Sequence, residues 1–197
     1  MLIRCQYDPT IQNKESEAFA ATCVQFRIKL PEIQMASGLT KQTIESFKTG
    51  TDDLTTKDLW KILNALTPHE RTFYNSMMTV QDAAESAGIS MPLLDMDKAN
   101  ANLDPLRGAM ELTMNVFDVN SKAICDAAGY ANSNFAAWYK GSRESVTLGT
   151  LQKIKAGLTR EQRAFMDAIV NALVSMQPEP TSPQLEGRQM NPLLKIA

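Results

Sequence analysis

Two stretches 91 residues apart constrain this chain more than any bulk property. SGLTKQTIESFKTG (37–50) and AGYANSNFAAWYKG (128–141) each open on a small residue and Gly and close on Gly. Between those limits each carries apolar residues at helical spacing: Ile44 and Phe47 in one, Phe135 and Trp138 in the other. Setting Gly38 on Gly129 also aligns Ile33 with Ile124, Ala36 with Ala127 and Gly50 with Gly141. One inserted residue then moves the offset to 92. From there Thr55, Leu59, Lys61, Ile62, Leu66, Thr67, Arg71 and Phe73 meet Thr147, Leu151, Lys153, Ile154, Leu158, Thr159, Arg163 and Phe165. Upstream, Thr22 and Phe26 match Thr113 and Phe117. A match of this length implies one folded module used twice, and 197 residues have room for two small modules.

Each copy reads as consecutive helices. Phe19, Cys23 and Phe26 form an apolar stripe in residues 16–28. Pro31 suits the first turn of the next helix, and Gly38 stops it. Thr40 can cap a third helix that Gly50 ends, and Thr55 opens a fourth with Leu59, Ile62, Leu63 and Leu66 on one side. Thr67-Pro-His-Glu70 is a capping box that starts a fifth helix carrying Phe73, Tyr74 and Met77. In the second copy Thr147 and the box Thr159-Arg-Glu-Gln162 repeat the logic, and Phe165, Ile169, Leu173 and Val174 are expected inward. No alternating apolar run flanked by hairpin turns exists, so the expected class is all-α. The organisation expected is an N-terminal extension (1–15), a first module (16–78), a partly helical linker (79–105), a second module (106–176) and a Pro-rich, disordered tail (177–197).

Charge is placed locally. The net formal charge is −2, yet Lys122 to Arg163 holds seven basic and three acidic residues. No run of 18 apolar residues suggests a membrane span, and the N-terminal MLIRCQYDPT does not read as a secretory signal, so a cytoplasmic protein is expected. Cys5, Cys23 and Cys125 lack metal spacing and read as reduced thiols. A single histidine, His69, argues against a zinc site or a His-based triad. Asp52-Asp53 has no nucleophile or His beside it in the sequence, and no phosphate-cradling Gly-rich loop is present. No enzyme, cofactor, metal or small-molecule substrate is therefore expected.

Two short helices joined by a Gly turn, the second capped and polar on one side, have the sequence form of a helix-turn-helix. Its second helix can enter the DNA major groove. With Ile44 and Phe47 inward, Lys41, Gln42, Thr43 and Ser46 face out; with Phe135 and Trp138 inward, Asn132, Ser133, Asn134 and Ala137 do. Amides pair with adenine and Lys reaches guanine acceptors, which makes these eight the candidate base contacts. Lys48, Lys57, Lys61, Tyr139, Lys140, Arg143 and Lys153 are the candidate phosphate contacts. Tyr74, Trp60 and Tyr139 could stack on a base, but core or rim packing is the expectation for them.

SGLTKQTIESFKTG resembles the centre of the Cro/repressor-type (XRE-like) helix-turn-helix family. The resemblance implies a lambda-repressor-like five-helix module, present twice, with its third helix as the reader. It places the turn Gly at Gly38, the cap at Thr40, the apolar pair at Ile44 and Phe47 and the closing Gly at Gly50. Two departures stand out. Gln34 takes a position the family usually gives to a small residue, so it must bend outward. Ala131 replaces the cap, so Asn132 could cap instead and shift the second reading helix by one residue.

These readings point first to a regulator that binds double-stranded DNA in a sequence-specific way, with one or both copies reading the major groove. Two half-sites on one DNA face would lie about 34 Å apart. The alternative is a protein-interaction adaptor on the same scaffold, of phage or mobile-element origin. A homodimer through the last helix or the linker is allowed by either.

Overall fold

A computed structural model describes residues 2–3, 14–51, 54–90, 94–101, 104–143 and 145–177. The expected tail beyond Gln177 lies outside the described residues, as do Cys5 and Asp52-Asp53. Within them the chain is all-α apart from one short strand pair. The elements are β1 (Leu2–Ile3), α1 (Lys14–Gln25), α2 (Leu30–Ser37), α3 (Lys41–Thr49), α4 (Thr56–Ala65), α5 (Pro68–Ser86), β2 (Leu94–Asp95), α6 (Met96–Ala101), α7 (Pro105–Val116), α8 (Ser121–Ala128), α9 (Asn132–Tyr139), α10 (Leu148–Ala156) and α11 (Arg160–Ser175). β1 and β2 pair antiparallel, Leu2 opposite Asp95 and Ile3 opposite Leu94. Strands of two residues carry no alternation for a sequence pattern to reveal. The stretch TVQDAAESA continues α5 to Ser86, and Val80, Gln81, Ala83 and Ala84 within it are buried.

Helix ends follow local chemistry. Thr40 Oγ1 accepts from the Thr43 amide at 3.1 Å, and Thr55 and Thr147 accept from the Asp58 and Thr150 amides at 3.2 Å. Thr67 with Glu70, and Thr159 with Gln162, form reciprocal capping boxes at α5 and α11. Gly38 and Gly129 follow α2 and α8 with φ of 70° and 58°. That left-handed backbone suits glycine and reverses the chain between consecutive helices.

Helix starts recur at near-constant spacing. Lys14 and Pro105, Leu30 and Ser121, and Lys41 and Asn132 are each 91 residues apart; Thr56 and Leu148, and Pro68 and Arg160, are each 92 apart. Contacts recur with them. The Thr22 and Thr113 hydroxyls, both buried, donate to the carbonyls of Ala18 and Ala109, four residues back, at 2.7 and 2.8 Å. Arg27 and Asp118 take positive φ of 53° and 48° just after α1 and α7. Phe26 meets Phe73 edge-on at 5.5 Å and 82°, and Phe117 meets Phe165 at 5.3 Å and 82°. Identical local chemistry therefore yields the same packing at two places in the chain.

One hydrophobic core runs through the molecule, joined where α5 packs along α11. The buried residues of α11 are Phe165, Met166, Ala168, Ile169, Ala172, Leu173 and Ser175. Each lies 92 residues after a buried residue of α5: Phe73, Tyr74, Ser76, Met77, Val80, Gln81 and Ala83. The helices run antiparallel, because His69 Nδ1 near the start of α5 lies 3.3 Å from the Ser175 carbonyl oxygen at the end of α11. A groove of about 350 Å³ opens between them, lined by Thr72, Asn75, Ser76 and Thr79 and by Ala164, Asp167, Ala168 and Asn171.

Two expected core positions are corrected. Val174 is 51% exposed, because the buried stripe runs through Ile169, Ala172 and Leu173 and turns 174 away from α5. Trp60 is 65% exposed and joins neither core nor rim: α4 turns Ile62 and Leu66 inward and leaves position 60 on its outer side.

Candidate nucleic-acid interface

The outward faces of α3 and α9 are fixed by what those helices bury. Ile44 and Phe47 hold α3, with Phe47 against Phe19 at a ring distance of 5.5 Å. Phe135 and Trp138 hold α9, and each has zero exposure. Trp replaces Phe at the second anchor and brings an N–H that needs a partner inside. Asp104 supplies it, accepting from Trp138 Nε1 at 3.3 Å while capping the Leu106 amide and facing Arg107 Nε at 3.5 Å. Asp104 is the N-cap of α7, and its indole partner lies 34 residues on and leaves no local signal in the sequence.

The candidate base contacts separate into two groups. Asn132, Ser133 and Asn134 are all exposed in the first turn of α9, Ala137 is half-buried behind them, and α9 contains no acid. Lys41 and Gln42 are exposed at the start of α3, but Lys41 pairs with Glu45 at 3.4 Å. Thr43 and Ser46 are half-buried, and the Thr43 hydroxyl is shared with Thr40 Oγ1 at 2.8 Å. Gln34 is exposed, so the large side chain does bend away from the crossing of α2 and α3.

The capping expectation for α9 is corrected. Ala131 is the N-cap, with φ −66° and ψ 122° and no side-chain hydrogen bond, and Asn132 is the first helical residue. The helix keeps the register of α3, because its buried Phe135–Trp138 pair fixes the rotation. An uncapped terminus at an exposed site predicts a gain on repair. Ala131→Ser should raise unfolding free energy by about 1 kcal/mol in urea denaturation, and no gain would mean the terminus is already satisfied.

The candidate phosphate contacts also diverge. Lys140, Arg143 and Lys153 are exposed with no ion pair among the described residues, and Lys57 is likewise exposed. The Arg143 backbone is pinned, because its carbonyl accepts from Arg107 Nη2 at 2.5 Å. Lys61 is held locally by Asp58 at 2.8 Å. Lys48 is half-buried and lies close enough to Cys23 to act on its thiol. Tyr139 is half-buried and stacked on Phe135 at 5.8 Å. Burial and then the Glu111 carboxylate hold its phenol above the ordinary value, a setting that suits a phosphate poorly.

Comparison with known proteins returns no match. No family model, no curated protein and no solved structure matches this chain. The chemistry of the face therefore has to be read from its own residues: amides, hydroxyls and exposed cations over a fixed helix. Burial pushes the Cys23 thiol up to about 12 and raises that of Cys125, so both stay protonated near neutral pH. No group of three His, Cys, Asp or Glu side chains that could hold a metal ion occurs among the described residues. Nor is any helix there long and apolar enough to cross a membrane.

Proposed function

We propose that this chain is a sequence-specific, double-stranded-DNA-binding regulator built from two lambda-repressor-like helix-turn-helix units, α1–α5 and α7–α11. The observation that carries the reading is the α8–α9 pair: a left-handed Gly129 turn, a helix locked by Phe135 and Trp138, and an acid-free outer face of Asn132, Ser133 and Asn134. Lys140, Arg143 and Lys153 of the same half are exposed without ion-pair partners among the described residues, as backbone-positioning cations would be. The α2–α3 pair has the same frame, but Glu45 and the Thr40–Thr43 bond occupy part of its surface. The second unit is thus the stronger reader.

Titration against random duplex DNA and a selected pool at two salt concentrations tests the proposal. Binding should weaken steeply with salt, because it rests on phosphate contacts. Lys140→Ala with Lys153→Ala should weaken binding to all sequences alike and reduce the log–log salt slope by about 1 for each residue. Absence of binding at low salt would remove the regulator reading. The adaptor reading then takes its place, supported by the outward Met35, Trp60 and Leu148, exposed 84%, 65% and 79%.

A further inference from the structure

We infer that α5 and α11 are related by an approximate two-fold axis through the groove between them, so that one chain engages an inverted, imperfect repeat in DNA. This rests on the DNA-binding reading above and adds the arrangement of the two readers. A tandem duplication in sequence says nothing about that arrangement. Two units on a flexible string would read direct repeats as readily as inverted ones.

The groove decides between them. Its eight lining residues form four pairs, each 92 residues apart: Thr72 with Ala164, Asn75 with Asp167, Ser76 with Ala168, and Thr79 with Asn171. A set that maps onto itself when the two halves are exchanged is the signature of a two-fold contact, in which the same patch is used on both sides. A translated, head-to-tail arrangement would instead join two different patches. The antiparallel course of α5 and α11, fixed at one end by His69 and Ser175, sets the axis across both helices. The seven matched buried positions show that the two helices also bury corresponding residues along their length.

The symmetry has consequences for assembly and for the DNA site. The face of α11 that would meet a second copy is covered by α5, so no homodimer is expected through that face. Two-fold readers on one rigid core meet DNA as inverted half-sites, one helical turn or a multiple apart. The half-sites differ, because KQTIES of α3 and NSNFAA of α9 share no outward residue.

Selection of the full chain on a random duplex pool, followed by sedimentation equilibrium with the enriched duplex, tests this. Expected are imperfect inverted repeats, one chain per duplex, and at least about tenfold weaker binding when ~5 bp are inserted between half-sites, which turns one half-site to the opposite face. Enriched direct repeats, two chains per duplex, or indifference to the insertion would overturn the inference while leaving DNA binding intact. No binding at low salt would remove both.

Discussion

Phe165→Ala is expected to lower the stability of the whole chain by about 4 kcal/mol while leaving a single unfolding transition. Phe165 has zero exposure and sits edge-on to Phe117, so truncation removes a large buried ring, an aromatic pair and the packing around both. The loss is a large part of the roughly 5–15 kcal/mol typical of a folded domain. The single transition is the sharper part of the expectation. Two helix groups tethered by a linker would unfold separately, and damage to the second would leave the first untouched. Here α5 and α11 bury one another along matched faces, so neither group keeps its core when the other melts. Phe73→Ala, which breaks the equivalent pair with Phe26, should shift the same transition by a similar amount. Urea unfolding followed by far-UV circular dichroism and by Trp fluorescence checks both variants. Two separated transitions, or a Phe165→Ala curve that retains a wild-type component, would mean the α5–α11 contact does not couple the halves.

The parts of this fold that were legible in sequence are those governed by neighbours in the chain. Thr40, Thr55, Thr67, Thr147 and Thr159 cap helices because a hydroxyl reaches an amide three residues on. Gly38 and Gly129 stop helices because their backbone can turn left-handed. Stripe spacing placed Ile44, Phe47, Phe135 and Trp138 inside. What could not be read depends on distant partners. Nothing near Trp138 announces Asp104, and nothing in α11 announces that α5 covers it. Gly108 shows the same limit. A Cβ there would lie 2.3 Å from the Ala99 carbonyl oxygen, so the glycine admits close seating of α6 on α7, a constraint invisible without both helices. The candidate reading face falls between these cases. Its outward direction followed from helical spacing, but the pairing of Lys41 with Glu45 and the burial of Tyr139 required the folded chain.

The position matching Gly108 in the first half is Glu17, and there the second large effect is expected. Glu17 is 7% exposed, and burial pushes its carboxyl up to about 7 from an ordinary value of 4.5. Its partner is Gln81, whose Nε2 lies 3.4 Å from Glu17 Oε2 and whose own Oε1 is buried without a hydrogen-bond partner. A protonated Glu17 can donate a hydrogen bond, whereas an ionised one can only accept. The sign follows from proton binding. Between pH 4.5 and 7 the folded chain holds a proton at Glu17 that the unfolded chain releases. Stability from this group is therefore complete below pH 4.5, declines as pH rises to 7, and stays low above that. Glu17→Gln keeps the shape and removes the ionisation. Each tenfold change in proton affinity is worth about 1.4 kcal/mol. The variant should therefore be nearly neutral at about pH 4.5 and stabilise the fold by about 2–3 kcal/mol at about pH 8. Urea unfolding of both proteins at the two pH values makes the comparison. An equal difference at both would show that Glu17 does not titrate inside the fold. A destabilised variant at the higher pH would show that the charged carboxylate is held by a favourable contact.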